Sequence, residues 1–104
     1  LHQLARVDAL TGLINRRGLD EILAEECQRA KRDGQGFGLI LLDVDHFKAL
    51  NDSLGHQAGD RLLQWLTEQM RHCLRPYDHP GRWGGDEFMV VLAPSDPDTL
   101  EQIA

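Results

Sequence analysis

The sequence predicts an α/β domain in which helices pack on a sheet that contains an antiparallel hairpin. Apolar residues recur at helical spacing in several stretches, whereas other short runs are almost continuously apolar, as in buried strands. A Gly-Gly pair precedes the last of these runs, where a tight turn is expected. The chain has 104 residues and 41% hydrophobic content, which suits one small globular domain with a working core.

The helices are predicted from periodicity and from the residues that end them. A first amphipathic helix is expected to close near Gly34, and a short helix through Phe47 and Leu50 is expected to stop near Gly55. A longer helix must end before Pro76. The apolar positions on the long helices are Leu19, Ile22, Leu23, Cys27 and Ala30 in the first, and Leu62, Leu63, Leu66, Met70, Cys73 and Leu74 in the last.

Composition and charge exclude several classes of protein. The chain has 11 basic and 17 acidic residues, a net charge of −6 and a pI near 5.2, which argues against nucleic-acid binding through charge. Cys27 and Cys73 stand alone, which predicts reduced, partly buried thiols and neither a disulfide nor a zinc site. The sequence contains neither a signal peptide nor an apolar stretch of membrane-spanning length, so we expect no direct membrane contact from this domain.

Acidic residues follow the first predicted strand. Residues 39–42 are expected to form a buried central strand, and Asp43, Val44 and Asp45 come directly after it. In a strand, Asp43 and Asp45 share one face while Val44 points to the other. Open α/β sheets bind ligands at the carboxyl ends of such strands, so Asp43 is a candidate site residue. The alternative is that Asp43 is a solvated strand end.

The sequence Gly84-Gly85-Asp86-Glu87-Phe88 is the most informative part of the chain. The two glycines predict a two-residue hairpin turn with positive φ angles, and the absent Cβ atoms leave room for a phosphate or a sugar. If the strand before Asp43 pairs beside this hairpin, Asp43 and Asp86 meet near the Val44 carbonyl. Such oxygen donors are those that Mg²⁺ uses together with substrate phosphates. An ordinary hairpin with two solvated acids is the alternative.

Asn51 and Asp60 are polar residues of the last two predicted helices. An Asn amide both donates and accepts, whereas an Asp carboxylate only accepts. Spacing alone favours a helix cap for Asn51 and a helix-dipole interaction for Asp60.

Taken together, these motifs resemble the GGDEF domain of diguanylate cyclases. The segments that match in order and spacing are Asp8-Ala9-Leu10-Thr11-Gly12-Leu13-Ile14-Asn15-Arg16-Arg17, Asp43-Val44-Asp45-His46-Phe47-Lys48, Asn51-Asp52, Gly55-His56, Gly59-Asp60 and Arg82-Trp83-Gly84-Gly85-Asp86-Glu87-Phe88. The resemblance implies a sheet like that of nucleotide cyclases and polymerase palms, and condensation of two GTP molecules into cyclic di-GMP and two pyrophosphates. It also implies a homodimer, in which each domain holds one GTP.

The resemblance implies a role for individual residues. Asp43, the Val44 carbonyl and Asp86 would hold Mg²⁺, with Mn²⁺ as an alternative metal. Asp86 would accept the proton or hold the metal that activates the hydroxyl, and Glu87 would support the site. Asp86 and Glu87 are therefore the implied catalytic residues. The resemblance also reverses the preference for caps and implies that Asn51 and Asp60 bind guanine, whose N1–H and N2–H₂ donors and O6 acceptor suit this pair better than adenine does. The other implied substrate contacts are Phe47 through its backbone, Lys48 and His56; for His56 a hydrogen-bonded turn residue is the alternative.

Arg75-Pro76-Tyr77-Asp78 resembles the inhibitory product site of the family. An arginine fork binds guanine O6 and N7 or a phosphate, and Asp78 accepts from N1–H and N2–H₂ of the same base. The position before Gly84 matches the family. A helix-end cation followed by a turn acid is the alternative.

The spacing of Leu1, Leu4 and Ala5 predicts that residues 1–7 are the end of a connector helix. The GGDEF domain is predicted over residues 8–104. A helix is expected to open after residue 96, where the family continues beyond this sequence. We therefore expect the C-terminal part of the domain to be missing, which argues against catalysis by this fragment alone.

Three function classes follow. The first is a product-inhibited diguanylate cyclase in the cytoplasm, with its parent protein free or anchored at the inner membrane. The second is an inactive GGDEF module that binds GTP or cyclic di-GMP and regulates a neighbouring domain. An RNA-binding domain of similar topology ranks last, because it needs exposed aromatic residues on its strands and a basic face.

Overall fold

A computed structural model describes residues 5–94 of the chain. The elements follow in the order α1 (Arg16–Asp33), β1 (Gly38–Asp43), α2 (Phe47–Leu54), α3 (His56–Cys73), β2 (His79–Arg82) and β3 (Glu87–Leu92). The strands form an antiparallel sheet in the order β1-β3-β2. The predicted class of helices packed on a sheet with an antiparallel hairpin is confirmed. Leu1, Leu4 and the helix predicted after residue 96 lie outside the described residues.

The central strand of the described sheet is β3. It pairs with β1 from Gly38 opposite Leu92 to Asp43 opposite Glu87, and with β2 on its other side. The prediction that residues 39–42 form a buried central strand is therefore wrong, since Leu39 is 50% exposed and Leu41 is 69% exposed. The reason is that α1 packs on β2 and β3, so that within residues 5–94 this face of β1 stays largely uncovered.

Two hydrophobic clusters lie on opposite faces of β3, because successive side chains of a strand alternate. One face of β3 packs against Leu63 and Met70 of α3, and the other packs against Leu19 of α1. The predicted core positions on both helices are thus confirmed at these residues. The buried side chains contributed by β3 are Phe88, Val90 and Leu92 on the α3 side, and Met89 and Val91 on the α1 side.

The two thiols are free, as predicted, but they are not partly buried. Cys27 and Cys73 are both exposed. On each helix fewer apolar residues are buried than the sequence pattern suggests, because the sheet covers only one side of the helix. The prediction of partial burial is wrong at both positions.

The ends of the helices follow the local sequence. Asn15 caps α1, where its side-chain oxygen accepts from the Gly18 N–H at 3.0 Å. Gly34 ends α1 in the left-handed conformation at φ 76°, and its N–H donates to the Ala30 carbonyl. Gly55, at φ 90°, separates α2 from α3. The predicted ends near Gly34, Gly55 and Pro76 are confirmed.

The segment before α1, residues 5–15, is attached to β2 by backbone pairing. Val7 pairs with Ile14 in an antiparallel bridge, and Ile14 pairs with Gly81 in a parallel one. The Arg82 N–H donates to the Ile14 carbonyl at 2.8 Å. Residues 5–7 are not helical, so the predicted connector helix does not extend into them. Within residues 5–94, none of the helices combines the length and the apolar character that crossing a membrane requires.

Candidate functional site

The predicted metal-site residues meet where β1 ends and β3 begins. Asp43 lies opposite Glu87 in the strand register, and the Val44 N–H donates to the Asp86 carbonyl at 3.0 Å. This hydrogen bond extends the ladder by one residue and fixes the backbone of Asp86 against that of Val44. Asp43 and Glu87 are exposed, and Asp86 is half-buried. The sequence prediction that the first strand pairs beside the hairpin and brings Asp43 near Asp86 is confirmed at the level of the backbone.

The glycine turn differs from the prediction. The N–H groups of Trp83 and Gly84 both donate to the Glu87 carbonyl, at 2.8 and 3.2 Å, so residues 84–86 form a three-residue loop. Among the described residues the glycines with positive φ are Gly12, Gly34 and Gly55, and neither Gly84 nor Gly85 is one of them. A two-residue hairpin turn requires positive φ, whereas these bonds enclose three residues, so that requirement does not apply. The predicted two-residue turn with positive φ is wrong.

The donor set at this junction fits a hard metal ion bound together with a nucleotide. Carboxylates and a backbone carbonyl are the oxygen ligands of Mg²⁺, which takes its remaining ligands from water and phosphates. Residues 5–94 contain no group of three or more His, Cys, Asp or Glu side chains placed to hold a metal by themselves. A site built on Asp43, Asp86 and the Val44 carbonyl therefore depends on further oxygen ligands from outside this set.

Asn51 lies inside α2 and is not a helix cap. Its side-chain oxygen Oδ1 is buried and has no hydrogen-bond partner among the described residues. The amide packs against the bare backbone of Gly59 in α3, since a Cβ at Gly59 would overlap Oδ1 and lie 3.2 Å from Cζ of Phe47. A buried acceptor without a partner is costly, and here it lies beside another predicted substrate contact. The helix-cap alternative for Asn51 is excluded.

The other predicted substrate contacts lie on the same two helices. Phe47 is half-buried at the start of α2, directly after His46, the one non-glycine residue of the described chain with a positive φ, at 60°. Lys48 and Asp60 are exposed, and His56 is the exposed first residue of α3. Residues 44–46 connect the junction of β1 and β3 to α2. The structure thus groups Asn51 with Phe47 at Gly59, and within residues 5–94 it shows no direct contact of Lys48, His56 or Asp60 with that junction.

Half-buried Arg75 and buried Asp78 form a brace between three elements. The Asp78 side chain is 0% exposed and accepts from the Arg75 backbone N–H and Nε, both at 3.0 Å, from Arg75 Nη2 at 2.9 Å and from the Ala93 N–H at 3.2 Å. Burial raises the pKa of Asp78, but these hydrogen bonds outweigh it and hold the pKa below its usual value. The brace joins the end of α3 to the start of β2 and the end of β3.

The Arg75 guanidinium keeps some capacity for a ligand. Its Nη1 is buried and has no hydrogen-bond partner among the described residues, and its carbon Cζ lies 4.6 Å from the centre of the Tyr77 ring. An open cavity of about 390 Å³ adjoins it and is lined in part by Gly12, Arg71, Pro76 and His79. Asp78, in contrast, already accepts four hydrogen bonds from the protein.

Sequence reasoning assigned no role to Asp8 and Arg82. Arg82 donates to the Gly85 carbonyl and to both carboxylate oxygens of Asp8. Asp8 also accepts from the N–H and hydroxyl of Thr11 at 2.9 and 2.8 Å. Burial raises the pKa of Asp8, and the hydrogen bonds from Thr11 and Arg82 more than offset this, so its pKa is lowered. In the sequence, Asp8 and Arg82 are marked only as the first residues of two segments that match the family, residues 8–17 and 82–88.

Comparison with known proteins decides the family. The model of the family described as "Diguanylate cyclase, GGDEF domain" matches residues 5–104. The chain belongs to the GGDEF domain family. A solved GGDEF domain of DgcB from Caulobacter crescentus, in complex with c-di-GMP, superposes with a TM-score of 0.88 at 31% identity. The superposition covers 99% of this chain and 60% of that one.

Two curated relatives of this GGDEF domain come from Pseudomonas aeruginosa. The diguanylate cyclase DgcP is 48% identical over 90 residues, which is 86% of this chain and 13% of that protein. The cyclic di-GMP phosphodiesterase NbdA is 45% identical over 91 residues, which is 88% of this chain and 12% of that protein. The chain therefore spans about an eighth of the length of each of these relatives.

Proposed function

We propose that this GGDEF domain belongs to a diguanylate cyclase, which condenses two GTP molecules into cyclic di-GMP and releases two pyrophosphates. The observation that supports this most directly is the junction of β1 and β3, where the register places Asp43 opposite Glu87 and a 3.0 Å hydrogen bond ties Val44 to Asp86. A domain that only binds a nucleotide has no need for paired carboxylates at this point. The diguanylate cyclase name of a 48% identical relative agrees with the proposal.

In this proposal Asp43, Asp86 and the Val44 carbonyl hold Mg²⁺, or Mn²⁺ in its place. When bound, the metal neutralises phosphate charge and lowers the pKa of the attacking 3′-hydroxyl. Asp86, which is half-buried and held through its backbone, would accept the proton of that hydroxyl or orient the metal. Glu87 adds a second carboxylate next to it. In-line attack requires two substrates face to face, so the active form is a homodimer.

Base recognition is assigned to Asn51 and Asp60. Oδ1 of Asn51 is a buried acceptor whose partner within residues 5–94 is missing, and an N–H of guanine is a suitable donor. Asp60→Ala separates this role from a helix-dipole role. We expect GTP binding to weaken by roughly tenfold to a hundredfold, since an unpaired buried group costs about 1–3 kcal/mol. A helix-dipole role predicts unchanged affinity and a stability loss of about 0.3–1 kcal/mol.

The substrate-facing residues of the helices complete the site. Phe47 contributes its backbone, and Lys48 and His56 contribute side chains that are exposed at the starts of α2 and α3. Exposed cationic and imidazole groups are free to turn toward phosphates when a nucleotide binds. These assignments follow the family motif and the placement of the residues on α2 and α3.

The proposal is tested by incubating the full-length protein that contains this sequence with GTP and Mg²⁺ and separating the nucleotide products by chromatography. We expect cyclic di-GMP and pyrophosphate from the wild type, and none from Asp43→Ala or Asp86→Ala. Circular dichroism checks that both variants remain folded. Wild-type turnover in either folded variant would show that the metal assignment is wrong.

A second candidate is a GGDEF module that binds GTP or cyclic di-GMP without turnover and regulates a neighbouring domain. The observation that favours it is the 45% identity to a protein named as a phosphodiesterase, which is the opposite activity. The same experiment separates the two: binding of GTP without any product supports the regulatory module.

Product inhibition is assigned to Arg75 and Asp78. Nη1 of Arg75 has no hydrogen-bond partner among the described residues and adjoins an open cavity, which suits a guanine or a phosphate. Asp78 has to exchange part of its present hydrogen bonds to take part. Calorimetric titration of cyclic di-GMP into the wild type and Arg75→Ala tests the site. We expect the variant to bind about tenfold to a hundredfold more weakly, and equal affinities would leave the motif as a structural brace.

A further inference from the structure

The Arg82 side chain joins the loop of Gly85 to that of Asp8, which lies 74 residues before Arg82 in the sequence. Its Nε and Nη2 donate to the Gly85 carbonyl at 3.2 and 2.7 Å, and its Nη1 donates to Asp8 Oδ1 and Oδ2 at 3.3 and 3.2 Å. The side chain is 18% exposed and that of Asp8 is 20% exposed. Every nitrogen of the guanidinium is therefore engaged, and each bond goes to one of these two partners.

The Gly85 carbonyl belongs to the same planar peptide unit as the Asp86 N–H. Holding this carbonyl fixes the orientation of the peptide that leads into Asp86. The loop needs such a restraint, because Gly84 and Gly85 have wide backbone freedom and nothing would lie within 4 Å of a Cβ at Gly85. On the other side of Asp86, the Val44 N–H holds the Asp86 carbonyl at 3.0 Å. Arg82 and Val44 thus restrain the backbone on both sides of one carboxylate.

We propose that Arg82 is a positioning residue for Asp86 and that Asp8 holds Arg82 in place for this task. The proposal rests on the proposed function, in which Asp86 serves the metal and the attacking hydroxyl. Arg82 touches neither of them and acts through the Gly85 carbonyl. Asp8 is itself held by hydrogen bonds from the N–H and hydroxyl of Thr11, so the carboxylate that binds Arg82 has a fixed position of its own.

An arginine suits this position because its planar fork donates in two directions at once. Lysine would keep the positive charge beside Asp8, but a single ammonium does not reproduce both bonds to Gly85 together with those to Asp8. Arg82→Lys is therefore a substitution that keeps the charge and removes the restraint on the loop.

The test compares wild type, Arg82→Lys and Arg29→Lys in the full-length protein. Arg29 is the matched control, since it also pairs with two acids, Glu26 and Asp33, but lies in α1. Three quantities are measured: kcat with GTP and Mg²⁺, the dissociation constant of Mn²⁺ in the GTP complex by electron paramagnetic resonance, and the affinity for GTP without metal. Groups that orient a metal ligand typically affect metal affinity or activity by about tenfold to a hundredfold.

For Arg82→Lys we expect a loss of this size in kcat and in Mn²⁺ affinity, with metal-free GTP affinity close to wild type. Arg29→Lys is expected to leave all three at wild-type values. Asp8→Asn, which keeps the bonds from Arg82 to Gly85, is expected to change kcat and Mn²⁺ affinity in the same direction by a smaller factor. It also serves as the second variant if Arg82→Lys does not fold.

The outcomes distinguish this proposal from the proposed function. If the wild type forms no cyclic di-GMP, the proposed function is wrong, and the Mn²⁺ dissociation constants still decide the role of Arg82. If Arg82→Lys lowers the melting temperature but leaves kcat and Mn²⁺ affinity unchanged, Arg82 is a structural residue and the proposal is overturned. The same holds if Asp8→Asn is the variant measured.

Discussion

At the scale of single residues, the lack of a side chain at Gly59 allows the Asn51 side chain to pack closely against α3. Its bare backbone is the surface on which the Asn51 amide rests, next to the Phe47 ring. A glycine inside a helix costs about 1 kcal/mol relative to alanine, so its presence within α3 needs a reason. The close approach of Asn51 supplies one.

We expect Gly59→Ala to weaken GTP binding by roughly tenfold, because the new methyl group displaces the Asn51 amide and one polar contact is worth about 1–3 kcal/mol. Stability should change little, since the alanine favours the helix while the overlap with Asn51 and Phe47 opposes it. Affinity is measured by calorimetry and stability by urea unfolding. Gly36→Ala is the control, because a Cβ there meets nothing within 4 Å.

A double-mutant cycle makes this prediction specific. In an Asn51→Ala background the methyl group at position 59 has no amide to displace, so adding Gly59→Ala should cost little further affinity. A full additional loss would mean that Gly59 acts through Phe47 or through the packing of α2 on α3.

The sequence predicts which residues lie near each other where strand pairing brings them together. It does so poorly where side chains from distant parts of the chain close a loop. The meeting of Asp43 with residues 86 and 87 follows from two strands and one register. The conformation of Gly84 and Gly85 does not, because it depends on a guanidinium that arrives from β2 and is held by Asp8. No local pattern contains that information.

At the scale of elements, the Arg75–Asp78 brace holds the end of α3 against the sheet. We expect Asp78→Asn to destabilise the protein by about 1–3 kcal/mol at pH 7, since an amide has one acceptor oxygen and cannot accept all four hydrogen bonds that the carboxylate accepts. Urea unfolding at pH 7 measures this loss. A loss below about 0.5 kcal/mol, as is usual for surface substitutions, would contradict a bracing role.

The same carboxylate predicts how stability depends on pH. The pKa values of Asp78 and Asp8 are lowered in the folded protein, so their contribution is present above the unfolded value of about 3.9 and is lost as pH falls through the folded values. Unfolding free energies of the wild type should therefore fall below about pH 4 more steeply than those of Asp78→Asn. Parallel curves for the two proteins would show that Asp78 makes no such contribution.

Helices were easier to predict from the sequence than strand order. Apolar spacing, Gly34, Gly55 and Pro76 are local signals, and each of them marks a helix or its end in the structure. The position of β1 at the edge of the described sheet is not a local property. A continuous apolar run is common to edge and central strands, and only the packing of α1 on β2 and β3 decides which leucines are covered.

At the scale of the whole molecule, the described residues leave one face of β1 uncovered. Leu39 and Leu41 are exposed on a strand that has one paired edge in the described sheet. Exposed apolar edge strands promote association between molecules, and a lysine on such a strand opposes it. We expect residues 1–104 to self-associate with rising concentration and Leu41→Lys to reduce this, as measured by sedimentation velocity. Identical sedimentation of both proteins would contradict this role of β1.

The hydrogen bonds of residues 5–15 can transmit a force from residue 5 to β2. A pull on residue 5 is borne by the hydrogen bonds from Asn15 to the carbonyls of residues 5 and 6, and then by the bond from the Arg82 N–H to the Ile14 carbonyl. These bonds lie in series and end in β2, one residue before Trp83. Tension or torque at this end of the chain thus reaches the base of the hairpin through the backbone, without first having to rearrange either hydrophobic cluster.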